Sequence, residues 1–198
     1  MSTGQMLAKA DPRLILDIQN GLGGEGQKEI HSQYFYDAVG SALFDVITLL
    51  PEYGLARAGE RLLERHAFDL AKRLNQKVLV TELGSGSGTK TRWILRALTE
   101  RKPVTYLPID ISDAALKRCK LKLEQLDGVD VQPLEYGYIE GLRQVMVRRP
   151  RGFQLLVLFL GGTIGNFERP MAIDFLRQLR QFLESGDILY LGTDLEKP

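Results

Sequence analysis

Residues 80–95, VTELGSGSGTKTRWIL, hold the pattern in this chain most able to do chemistry. A β-branched run ends at Glu82, Gly84, Gly86 and Gly88 follow, and Lys90 precedes a helix-like pattern. Glycine lets a backbone approach a ligand closely, because no Cβ fills the space. A triphosphate loop needs Gly, four residues, then Gly-Lys-Ser/Thr. Lys90 and Thr91 match its end, but position 89 is Thr. A dinucleotide loop of the Gly-x-Gly-x-x-Gly type also demands Gly at 89. The spacing present is Gly-x-Gly-x-Gly, with an acid two residues upstream.

Charge separates the remaining ligands. Phosphate loops rely on positive potential at a helix N-terminus, and Glu82 at the strand tip opposes an anion, with Lys90 a partial offset. S-adenosylmethionine (SAM) has a sulfonium, an ammonium and a carboxylate, and no phosphate. Glu82 suits its cationic end; the backbone of Gly84, Ser85 and Gly86, with Lys90, suits its carboxylate. Glycine-rich turns after strands are common, so the loop alone leaves the ligand open. A second acid, Asp110, ends the run VTYLPID, where an acidic residue accepts ribose hydroxyls in this class of fold. Its alternative role is to cap the helix expected from Asp113. In QLLVLFLGGTIGNFERP (154–170), Gly161, Gly162, Thr163 and Asn166 follow an apolar run, at a strand end where open α/β sheets bind ligands. Asn166 there serves either a ligand or a turn.

The elements that must position these residues change character along the chain. Asp11-Pro12 suits a helix start, running through Asn20, and GLGGEG (21–26) reads as a break. Residues 33–50 have helical spacing, with apolar residues at 39, 43, 46, 47 and 50, and Pro51 ends them. A second amphipathic helix spans 55–74, with Leu62, Leu63, Leu70 and Leu74 inward. Strands then alternate with helices: strands at 77–83, 104–110, 129–134, 154–160 and 187–193, helices at 89–100, 113–125, 138–148 and 169–184. Near-continuous apolar strands separated by helices predict a doubly wound α/β fold with a mainly parallel sheet. Residues 1–75 are expected to form an N-terminal helical cap and residues 76–198 the ligand-binding core.

Composition narrows the classes further. The chain has 198 residues, 44% of them hydrophobic, and a net charge of +1, which points to no nucleic-acid or acidic-membrane partner. One cysteine, Cys119, excludes an internal disulfide framework and fits a reducing compartment, the cytoplasm. No apolar run is long enough to span a bilayer. His31 and His66 lie far apart with no cysteine beside either, so no metal site is expected.

Taken together, several segments resemble the SAM-dependent histidine N-methyltransferases of ergothioneine biosynthesis and their relatives. They are QYFYDAVGSALFDVITLLPEYGLARAGERLL (33–63), VTELGSGSGTKTRWIL (80–95), YLPIDIS (106–112), LFLGGTIGNF (158–167) and LYLGTDLEKP (189–198). The resemblance implies a Rossmann-like methyltransferase fold, SAM as cofactor, and a small amino-acid substrate. It implies that Gly84 and Lys90 contact the cofactor, that Asp110 meets the ribose, and that Gly137-Tyr138 lies near the adenine. It further implies that Asn166 recognises the substrate imidazole, with Tyr36, Tyr53 and Gly54 beside it. For the two tyrosines, packing between cap helices is an equal alternative.

This chain departs from the family at two positions. Gly54 stands where histidine-methylating members carry a second tyrosine, which keeps another amine, such as a tryptophan derivative, open as acceptor. Gly137 stands where they carry an acid, with Glu135 or Glu140 as possible substitutes. The family also continues beyond the GTDL motif into a substrate-binding lobe, so weak SAM binding and poor turnover are expected of a chain ending at Pro198; a non-catalytic SAM-binding fragment is the third reading. No residue of the sequence identifies itself as the general base, and nothing in it fixes the oligomeric state.

Overall fold

The computed structural model describes residues 12–30, 32–74 and 77–194. The chain divides into two compact units, Met1–Tyr36 and Asp37–Pro198. In the first, helix α1 spans Pro12–Gly23, and a 3-10 turn spans Ser32–Phe35. Asp11 lies outside the described residues. The helix runs past the expected stop at Asn20 into the glycine-rich stretch. Gly21 admits the returning chain there: Glu29 N–H donates to its carbonyl at 3.0 Å, and a Cβ at Gly21 would lie 2.0 Å from the Glu29 carbonyl oxygen. Tyr34 Oη donates to Asp17 Oδ2 at 2.6 Å and ties the turn to α1.

The larger unit begins with α2, Ala38–Ile47. The sequence predicts one helix over 33–50, but Asp37 starts a new one by accepting the Gly40 N–H at 2.7 Å. Helix α2 turns its polar side inward. Ser41 Oγ donates to Ser112 Oγ at 3.2 Å, and Asp45 pairs with Arg118 at 3.4 Å, while Val39, Leu43 and Val46 are exposed. Helix α3 spans Gly54–Arg73. Leu63 and Leu74 are buried as expected, whereas Leu62 is exposed. Ala56, Ala67 and Ala71 complete the buried stripe, their small side chains letting the next helix come close. Arg101 closes the helix end by donating to the carbonyls of Ala71 and Leu74.

Among the described residues, six strands form one sheet: β1 (Val78–Leu83), β2 (Val104–Asp110), β3 (Val129–Val131), β4 (Leu134–Glu135), β5 (Gln154–Phe159) and β6 (Ile188–Leu191). Helices α4 (Arg92–Thr99), α5 (Asp113–Leu123), α6 (Tyr138–Arg148) and α7 (Arg169–Arg180) connect them. All pairs are parallel, in the order β3-β2-β1-β5-β6, and β4 also pairs with β2. The third expected strand is split because Pro133 has no N–H for the ladder; Gln132 N–H still reaches Tyr106 O at 2.9 Å.

Alternating residues of each strand feed two cores. Val80, Tyr106, Leu156 and Leu158 pack with α3, α4 and α5; Leu79, Leu107, Val157 and Phe159 pack with α6 and α7. Below the sheet, at the amino ends of the strands, the Asp187 side chain is 1% exposed and holds Arg149 through two bonds of 2.7 and 2.8 Å. It also accepts the Leu155 and Glu184 N–H groups, each at 2.8 Å, and so joins β5, β6 and the end of α6. Among the described residues, no helix is long and apolar enough to cross a membrane.

Candidate cofactor and substrate site

The strand order reverses between β1 and β5, and such a reversal opens a crevice beyond the carboxyl ends of the strands. The glycine loop leaves β1 at that point. Gly84, Gly86 and Gly88 have φ of 68°, 52° and 68°, a region costly for residues with a Cβ. Gly84 and Ser85 N–H both donate to Ile109 O, at 2.9 and 3.2 Å, which anchors the loop to β2. The three glycines differ in what surrounds them. A Cβ at Gly84 would lie 3.2 Å from Tyr138 Oη, whereas one at Gly86 would meet nothing within 4 Å. Beneath Gly88, Cys119 Sγ and Leu123 Cδ1 would lie 2.8 and 2.7 Å from a Cβ. The third glycine is therefore required by the fit of α5 under the loop.

Asp110 stands at the expected place. Its Oδ2 accepts the Gly86 N–H at 2.9 Å and its Oδ1 the Ser112 N–H at 3.0 Å. It does not cap α5: Ser112 does, accepting the Ala115 N–H at 3.3 Å. Asp110 is only half-buried, so its carboxylate retains acceptor capacity toward the crevice. Glu82 lies deeper than a strand-tip acid would, at 3% exposure. Its Oε2 accepts the hydroxyls of Thr91 and, at 2.5 Å, Tyr106. Burial pushes this carboxyl up to about 7, against the pull of those two hydroxyls and of Lys90.

Lys90 is half-buried and makes no direct ion pair among the described residues. Burial lowers its pKa, with Glu82 and Glu60 acting in opposition. A Cβ built on Gly161 would lie 3.5 Å from Lys90 Nζ, so the ammonium spans the crevice from the β1 loop to the β5 end. Ser85 is 8% exposed, and its hydroxyl lies beside the Cys119 thiol. The neighbouring Cys119 thiol is buried and pushed up to about 12, which leaves it inert as a nucleophile.

The far wall is built from β5, β6 and the start of α3. Gly161 and Gly162 have φ of 79° and 76° and lead into a 3-10 turn, Thr163–Asn166. A Cβ at Gly162 would lie 3.5 Å from Leu55 Cδ2 and 4.0 Å from the Asp194 nitrogen, so the start of α3 and the residues after β6 both converge there. Tyr53 and Gly54 immediately precede Leu55 in the chain. Asn166 is exposed, and its side chain neither caps α7 nor makes a hydrogen bond among the described residues. Tyr53 packs edge-on against Phe44 at 6.1 Å. Gly54 is exposed, and a Cβ there would meet nothing.

Tyr138 stands over the loop and packs edge-on against Phe159 and Phe175, at 5.6 and 5.8 Å. Gly137, the residue before α6, has φ −66°, which any residue adopts. Of the two acids that could serve beside it, Glu135 is exposed and paired in register with Asp110, while Glu140 is held by Arg143 at 2.8 Å and Gln144 at 3.1 Å. Tyr36 belongs to the N-terminal unit. The sequence reading missed Thr91 and Tyr106. The only signal for Tyr106 is a hydroxyl placed within a strand whose other core-facing residues are apolar.

Residues 14–198 match the sequence model of a family described as histidine-specific methyltransferase, SAM-dependent. The histidine N-alpha-methyltransferases of Mycobacterium tuberculosis and Mycolicibacterium smegmatis are 37% and 34% identical over 183 residues, covering 91% of this chain and 55% of each relative. The chain thus spans about half the length of these curated relatives. Among solved structures, the CurJ carbon methyltransferase superposes with a TM-score of 0.53 at 18% identity, covering 89% of this chain and 45% of that one, a likeness of fold.

Proposed function

This chain belongs to the histidine-specific, SAM-dependent methyltransferase family, and from that premise we propose that it serves N-methylation of the α-amino group of an amino acid, L-histidine first among acceptors. When bound, SAM supplies an electrophilic methyl carbon on a sulfonium, open to in-line displacement by a deprotonated amine. The protein's part is to bind, orient and exclude water.

The residues at the crevice fit that cofactor. The observation that carries the reading is Lys90: a half-buried ammonium without an ion-pair partner among the described residues, beside Gly161 and next to a loop whose Gly86 faces open space. Lys90, with the Gly84–Gly86 backbone and the Ser85 hydroxyl, would hold the amino-acid end of the cofactor. Asp110 would accept the ribose hydroxyls, and Gly137-Tyr138 would border the adenine. Glu82, sealed beneath the loop, would favour the cationic end through its field. On the far wall Asn166, Tyr53 and Gly54 would bind the small amino-acid substrate. The thiol of the single cysteine supports a reducing, cytoplasmic setting.

Calorimetric titration with SAM, NAD and ATP tests the cofactor, and mass spectrometry of histidine and tryptophan incubated with SAM and the protein tests the acceptor. Binding of SAM alone among the three, with mass gains in steps of one methyl on histidine, is expected. Seating of ATP or NAD with no affinity for SAM would sink the reading; methylation of tryptophan alone would reassign the acceptor.

A further inference from the structure

The buried network under the glycine loop links three elements. Glu82 comes from β1, Tyr106 from β2, and Thr91 from the position capping α4, directly after Lys90. Both hydroxyls converge on one carboxylate oxygen, Oε2. All three side chains are buried, Thr91 and Tyr106 completely, so bulk water does not compete for the carboxylate. Resting on the SAM reading above, we propose that Tyr106 and Thr91 are positioning residues of the cofactor site, their hydroxyls holding the Glu82 carboxylate so that it fixes the first turn of α4 and, with it, Lys90.

The arrangement depends on the protonation of Glu82. A carboxylate accepts from both hydroxyls, whereas a protonated carboxyl must donate one proton, and one hydroxyl then has to turn from donor to acceptor. The charged and titratable groups around Glu82 are Lys90 of the loop, Tyr106 and Asp110 of β2, and Cys119 of α5. Glu60 of α3 acts on it indirectly, through Lys90. Burial holds Glu82 near 7, so the carboxyl is shared between both forms around neutral pH. A ligand with a cationic end favours the ionised form. Binding should therefore release a fraction of a proton and strengthen as pH rises through 7.

The test is calorimetry of SAM and of its demethylated product with the whole chain between pH 6 and 8, in buffers of different ionisation heat, for the native protein, Tyr106→Phe and Glu82→Gln. In the native protein SAM affinity should rise about threefold or more over that range, part of the tenfold that one pKa unit allows. Tyr106→Phe removes a bond that favours the ionised carboxyl, so it should move the midpoint of that rise to higher pH with the fold retained by circular dichroism. Glu82→Gln should remove both the rise and the proton release. A merely structural role for Tyr106 would lower the melting temperature and leave the pH profile in place, and that result would overturn the proposal. Native protein that binds SAM with no pH dependence and no proton release also overturns it, and does so if neither variant folds. Native protein that binds neither ligand at any pH overturns the cofactor reading along with it.

Discussion

The carboxylate of Asp110 accepts the backbone N–H of Gly86 at 2.9 Å, so the acid that ends β2 also shapes the loop that follows β1. One side chain serves two elements at the crevice, and its replacement should act on both.

Asp110→Ala removes an acceptor from the Gly86 and Ser112 amides and, on the function proposed above, from the ribose. SAM affinity should fall at least tenfold, about 1.4 kcal/mol, and the melting temperature should fall as well. Asp110→Asn, which keeps one carbonyl oxygen, should recover much of the stability. Titration calorimetry and thermal melts on both variants read this out. Unchanged affinity in Asp110→Ala would remove Asp110 from the site.

Gly88 and Gly86 separate packing from ligand approach. Alanine at either position meets an unfavourable left-handed backbone, costing about 1–2 kcal/mol. At Gly88 the new methyl would also press on Cys119 and Leu123, adding about 1–3 kcal/mol of overpacking. Chemical denaturation should rank Gly88→Ala as clearly less stable than Gly86→Ala. Cys119→Ala in the Gly88→Ala background should recover part of the difference.

Glu82 carries a stability cost with a definite pH window. Its folded pKa of about 7 lies above the ordinary 4.5, so the folded state binds more protons between those values, and stability falls as pH rises from about 4.5 to 7. Glu82→Gln, neutral and nearly isosteric, escapes that loss. At pH 8 it should be more stable than the native protein, by on the order of 2–3 kcal/mol, with the gain vanishing below about pH 4.5. Melts across pH 4–8 in which Glu82→Gln is less stable throughout would contradict this.

Asp187 has the opposite sign. Burial alone would raise its pKa, but Arg149 and the Leu155 and Glu184 amides outweigh burial and lower it from the ordinary 3.8. Its contribution is therefore full above the unfolded value and is lost as pH falls through the lower folded one. Asp187→Asn should cost about 1–3 kcal/mol at pH 7, because the amide keeps one acceptor oxygen but loses the charge that pairs with Arg149. The gap between variant and native protein should narrow below pH 4, as acid denaturation curves would report.

The alternation of strands and helices, the parallel sheet, the turn after Glu82 and the acid at 110 were all legible in the sequence. Each depends on local chemistry: side-chain period, the φ that only glycine tolerates, the carboxylate that ends an apolar run. Local signals also misled. Asp37 broke a helix that apolar spacing had carried across 33–50. Pro133 divided a strand by withholding one N–H. Leu62 shares its residue type with Leu63 but not its burial, because alanines at 67 and 71 bring α4 against the opposite edge of the stripe. The depth of Glu82, its bonds to Thr91 and Tyr106, the pressure of Cys119 beneath Gly88 and the reach of Lys90 to Gly161 join residues 9 to 71 positions apart. Only the tertiary structure decided these, because desolvation and hydrogen bonding depend on which distant groups exclude water from an atom, and a sequence records neighbours along the chain, not across the core.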